Sequence, residues 1–138
     1  MSVVEELLRT ESDGSISFGN HKLEKKSKLE DFEYQGDIYK VKTYNEITKL
    51  EKNGMLVYES VPGTSVNNLK VDGKGISFTV EGDSDAQITL EMDDDTEYDV
   101  AIDGQKSGRV KTNLGGKLSL SVVLDSGRQA EVSITAET

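Results

Sequence analysis

The sequence predicts an all-β protein. A small N-terminal β subdomain of hairpins, residues 1–60, is followed by an immunoglobulin- or fibronectin-like β-sandwich, residues 61–138, and a short helix opens the chain. Three observations carry this reading. Apolar residues recur at every second position, as in Tyr98, Val100, Ile102 and again in Leu118, Leu120, Val122, which places them on one face of a sheet. Turn dipeptides such as Asp13-Gly14, Asn53-Gly54 and Asp103-Gly104 interrupt the apolar runs at short intervals. The 138 residues hold only three Phe and five Tyr and no Trp, so two thin β layers are easier to fill than one large core.

Taken in order, Ser2-Val3-Val4-Glu5 has the capping-box pattern. Val4, Leu7 and Leu8 then fall on one side of two helical turns, a helix too short to stand without docking. It is expected to cover the edge of its own sheet or to dock on a neighbouring subunit. Asp13-Gly14 turns into a strand at 15–18. Residues 21–27, HKLEKKS, form a charged connector. Segments 29–34 and 37–44 flank Gln35-Gly36 as a hairpin. Residues 45–52 are ambiguous, since Ile47 and Leu50 suit a helical turn and Ile47-Thr48 a strand. Asn53-Gly54, which leads to 55–60, decides for strand. Val61-Pro62-Gly63 holds the only proline and marks the seam between the two domains. Beyond it, strands are expected at 66–71, 75–81, 86–92, 97–102, 108–112, 117–124 and 129–135, with turns that include Asp72-Gly73 and residues 125–128.

Net charge is −10 and there is no Cys. The part before the seam carries 9 basic and 12 acidic residues and the part after it 7 and 14, so the acidity lies mainly in the second. A surplus of carboxylates repels nucleic acid and anionic membranes. Disulfides and thiolate metal sites are excluded. No basic n-region followed by an apolar stretch opens the chain, so a cytoplasmic protein is expected.

No catalytic, cofactor or metal residues are assigned. His21, the one imidazole, which any triad would have to use, stands in a charged stretch with no apolar wall and is expected to be solvated, and no G-x-S-x-G elbow occurs. The glycine pairs at 72–75 and 115–117 lack phosphate-loop spacing and read as turns. Asp83 and Asp85 precede the strand at 86–92, and Asp93, Asp94, Asp95 and Asp99 follow it. The two acidic groups thus leave opposite ends of one strand, which does not suit Ca²⁺. Tyr34, Tyr39, Tyr44 and Tyr58 cluster before the seam. With Leu7 and Leu8 they form the candidate interaction surface, although sheet core is the ordinary place for such tyrosines.

Residues 16–64, ISFGNHKLEKKSKLEDFEYQGDIYKVKTYNEITKLEKNGMLVYESVPGT, with TNLGGKLSLSV at 112–122, resemble a group of short bacterial proteins, chiefly of anaerobic Firmicutes, that carry the label endosialidase. That resemblance implies a glycan-processing or glycan-binding role. Long endosialidases are trimeric β-propellers with basic surfaces, whereas this chain is short, acidic and has only Arg9, Arg109 and Arg128, so no catalytic residue carries over. EYDVAIDGQKSGRVKTNLGGKLSLSV at 97–122 is similar to β-sandwich modules appended to polysaccharide-active enzymes. The function expected is a non-enzymatic interaction or assembly module with a protein partner or self-association. A carbohydrate-binding or glycan-processing accessory protein is the alternative.

Overall fold

The computed structural model describes residues 3–124 and 128–136. Among them are thirteen strands and no helix: β1 Leu8–Thr10, β2 Ile16–Phe18, β3 Ser27–Tyr34, β4 Asp37–Tyr44, β5 Ile47–Lys52, β6 Met55–Val61, β7 Ser65–Asp72, β8 Gly75–Glu81, β9 Ala86–Glu91, β10 Glu97–Ile102, β11 Gln105–Lys111, β12 Lys117–Val122 and β13 Gln129–Ala136. They form a β-sandwich. One sheet has the order β1-β2-β7-β8-β13-β10-β11 and the other β12-β9-β6-β5-β4-β3.

Every hydrogen-bonded pair is antiparallel and joins an odd-numbered strand to an even-numbered one. Odd strands therefore run toward one end of the sandwich and even strands away from it. Inner faces follow the alternation read from the sequence. Tyr39, Val41 and Thr43 of β4 are buried, as are Ile76, Phe78 and Val80 of β8, Ala86, Ile88 and Leu90 of β9, and Ala130, Val132 and Ile134 of β13. At the centre the Tyr58 ring meets Phe18 edge-on at 5.2 Å and Phe78 at 5.6 Å, the geometry that aromatic quadrupoles favour. Tyr58 comes from one sheet and the two phenylalanines from the other, so this trio fastens the layers together.

Strands from both sides of the Val61-Pro62-Gly63 seam share each sheet. β2 pairs with β7, and β6 pairs with β9. One cluster of buried residues reaches from Leu8 to Ile134. The seam is thus a crossing between layers rather than a division of them.

The expected N-terminal helix is replaced by a turn and a strand. Ser2 lies outside the described residues. Leu7 N–H donates to the Val4 carbonyl at 3.0 Å, Leu7 takes φ 72°, and β1 then pairs with β2. The reason is non-local. Val4 N–H donates to the Gly19 carbonyl and Gly19 N–H to the Leu7 carbonyl, each at 3.0 Å. This extended course buries Val4 and Leu8 almost completely and covers the outer edge of β2, while two turns of helix would leave that edge bare. Of the turn expected over 125–128, residues 125–127 lie outside those described.

Candidate functional site

The odd–even rule sorts the connections. Those after β1, β3, β5, β7, β9 and β11 gather at one end of the sandwich, and the others at the opposite end. The two ends differ in chemistry.

At the first end the sheets part to leave a cleft of about 370 Å³. Its walls are Ile16, Leu69 and Ile76 from one sheet and Tyr39, Leu50 and Leu56 from the other. Val71, Met92 and Tyr34 stand at the same opening. Three large apolar side chains at this end face solvent: Met55, which opens β6, is 63% exposed, Val71, near the end of β7, 66%, and Leu114, on the β11–β12 connection, 85%. Val61 and Val123, at the opposite end, are each 54% exposed as well, so what sets the first end apart is its apolar cleft.

Rim polarity is mostly paired. Lys52 lies 3.5 Å from Asp37 and Lys70 3.4 Å from Asp13. Hydrogen bonds from the Ser15 hydroxyl and backbone N–H hold the Asp13 carboxyl down to about 2. Burial pushes the Tyr39 hydroxyl above its ordinary value, with Asp37 and Tyr34 adding to the effect. A second groove of about 210 Å³ continues from the cleft, shares Val71, Glu91 and Met92 with it, and is bordered by Asp72, Asp93 and Lys74.

At the opposite end a hollow of about 550 Å³ lies by Ile102, Lys106 and Val123, while the side formed by the β2–β3, β4–β5 and β6–β7 connections is closed by a buried hydroxyl network. Asn20 N–H donates to Thr43 Oγ1 at 2.9 Å, and Thr64 N–H donates to Thr48 Oγ1 at 3.0 Å. Thr48 spends its own proton on the Thr64 carbonyl at 2.7 Å. The 2.8 Å contact between Thr43 Oγ1 and Thr48 Oγ1 must therefore be donated by Thr43. Thr64 Oγ1 in turn meets Tyr58 Oη and Ser60 Oγ, both at 2.7 Å. Burial drives the Tyr58 hydroxyl far above its ordinary pKa, so it stays protonated and neutral.

His21 belongs to this closed end and corrects the sequence reading. It is 2% exposed, not solvated. Gly19, at φ +95° and with a would-be Cβ only 2.6 Å from the Thr64 carbonyl oxygen, lets the chain fold tightly under the β6–β7 connection. His21 Nδ1 lies 2.7 Å from Ser65 Oγ, and Nε2 lies 3.7 Å from Asp83 Oδ1. That second distance is too long for a hydrogen bond, and among the described residues Nε2 has no hydrogen-bond partner. Desolvation lowers the imidazole pKa against the pull of Asp83, whose carboxylate is engaged by Lys22 at 2.6 Å. The trio looks like a serine–histidine–acid set, but Ser65 is fully buried in a strand. Its hydroxyl has no room for a substrate carbonyl, so the arrangement serves packing.

The candidate residues separate. Tyr34 and Tyr39 meet at the cleft. Tyr58 is core, and Tyr44 lies half-buried in register with Ile47, near the closed end. Leu8 is buried and Leu7 packs against the core. Sequence reasoning missed Met55, Val71 and Leu114. The available signal was an apolar residue set directly beside a turn glycine or aspartate, where solvent is the expected neighbour. The acidic residues stay apart: Asp85 accepts from Leu124 N–H, Asp95 pairs with Lys111, and Asp99 pairs with Arg109. Among the described residues no group of three or more His, Asp or Glu side chains could hold a metal ion, and no helix is long and apolar enough to cross a membrane.

No family model, curated protein or solved structure matches this chain.

Proposed function

We propose that the protein is a non-enzymatic interaction module that meets its partner through the cleft end of the sandwich. The observation that carries this reading is the apolar opening between the sheets, with the exposed Val71 on its rim. Rigid strands hold the walls and short connections form the rim, the usual division between scaffold and recognition surface. The burial of Ser65 and His21 supports a role without covalent chemistry.

A glycan ligand is the second reading. It is favoured by the Tyr34 and Tyr39 rings standing beside Gln35, Asp37 and Lys52, since a sugar offers an apolar face to a ring and hydroxyls to polar neighbours. Panels of immobilised peptides and glycans, probed with the protein and with Val71→Asp and Tyr34→Ala, separate the two. Saturable peptide binding lost in Val71→Asp supports the first reading. Glycan binding lost in Tyr34→Ala supports the second. Binding to neither panel, or binding indifferent to both substitutions, overturns the site.

A further inference from the structure

We infer that the partner is a protein segment carrying an apolar side chain next to lysine or arginine, the apolar group entering the cleft and the cation lying along the groove that continues it. This rests on the reading of the cleft end as the recognition surface and adds the chemistry of what it recognises.

Charge complementarity selects this occupant. The groove that shares Val71, Glu91 and Met92 with the cleft is bordered by three carboxylates, Asp72, Glu91 and Asp93, and one ammonium, Lys74. Asp94 and Asp95 follow on the same exposed connection. Asp95 is answered by Lys111 and Asp72 caps its own turn through the N–H groups of Lys74 and Gly75. Among the described residues no cation is in contact with Asp93 or Asp94. The lysines on the cleft side are already committed, Lys52 to Asp37 and Lys70 to Asp13. An acidic segment would meet unanswered carboxylates, and a purely apolar one would leave them unused. A cationic segment gains from them at short range, and from the net charge of −10 during approach.

The test uses fluorescein-labelled eight-residue peptides of alternating Leu and Lys pairs, with a Glu-for-Lys and a Ser-for-Leu counterpart, titrated by fluorescence polarisation. The Leu/Lys peptide is expected to bind at least tenfold more tightly than either counterpart. Val71→Asp, at a position 66% exposed and so harmless to the fold, is expected to weaken it about tenfold or more. Asp93→Asn with Asp94→Asn is expected to weaken it about two- to thirtyfold, the range for two exposed ion pairs. Glu24→Gln with Glu46→Gln removes the same charge from exposed positions at the closed end and is expected to change little.

Equal loss in that control pair would reduce the effect to net charge and overturn the inference. Tighter binding of the Glu peptide, still lost in Val71→Asp, overturns the cationic partner but leaves the cleft as the site. Binding of the Leu/Lys peptide unaffected by Val71→Asp overturns both, as does the absence of peptide binding.

Discussion

Replacing Thr48 by Val keeps the shape of the side chain and removes one oxygen. That oxygen answers three buried groups: it accepts from Thr64 N–H at 3.0 Å and from the Thr43 hydroxyl at 2.8 Å, and it donates to the Thr64 carbonyl at 2.7 Å. Thr43, Thr48 and Thr64 are each fully buried, so water cannot replace the lost partner without opening the end of the sandwich. Each orphaned buried group costs about 1–3 kcal/mol, and partial relaxation puts the sum at roughly 3–5 kcal/mol. Against a domain stability of about 5–15 kcal/mol this is a large share. Thr43→Val strands fewer groups, chiefly Asn20 N–H, and is expected to cost about half as much. Urea unfolding followed by circular dichroism measures both, with an unchanged slope as the check that only stability moved. If Thr48→Val unfolds within about 1 kcal/mol of the parent, the assigned proton directions and the dryness of this end are wrong.

Further expectations follow from single positions. Gly75→Ala sets a Cβ 1.8 Å from the Ile134 carbonyl oxygen, a backbone atom that cannot yield. It should cost more than about 4 kcal/mol or abolish folding, whereas Gly73→Ala, with nothing within 4 Å, should be within about 0.5 kcal/mol of the parent by thermal unfolding. Because burial lowers the His21 pKa in the folded state, the unfolded chain takes up the proton first. The stability tied to neutral His21 is full above the ordinary value near 6.5 and declines as pH falls through that value toward the lowered one. Melting temperature measured from pH 8 to 5 should show this decline in the parent and not in His21→Gln; the same decline in both would remove His21 as its source. Phe78→Ala deletes a ring packed edge-on against Tyr58 and should cost about 3–5 kcal/mol, measured by urea unfolding; a cost below about 1 kcal/mol would mean that the layers are not joined there.

Strand identity was legible because it is written locally. The alternation of Ile76, Phe78 and Val80, or of Val132 and Ile134, reports which side chains face inward whatever the partner strand is. Asn53-Gly54 resolves the ambiguous residues 45–52 because the dipeptide fixes a hairpin. What escaped was set by distant parts of the chain. The expected helix lost to the pairing of Leu8–Thr10 with β2, His21 became buried because the Thr64–Ser65 segment lies over it, and the assignment of strands to layers depends on partners up to sixty residues away. The cleft was half legible. Tyr34 and Tyr39 were singled out as tyrosines, while Val71 and Met92 looked like ordinary strand ends, since nothing local says that two sheets diverge beside them.

β13 is the last of the described strands, yet it sits between β8 and β10 in the middle of its sheet. During synthesis those two neighbours leave the ribosome with no ladder between them, and β1 and β2 wait for β7 in the same way. Folding of this layer is thus held back until residues 129–136 emerge, and until then the nascent polypeptide carries bare strand edges. A ribosome stalled shortly before Gln129 should display a protease-sensitive product, and a holdase would find its client there.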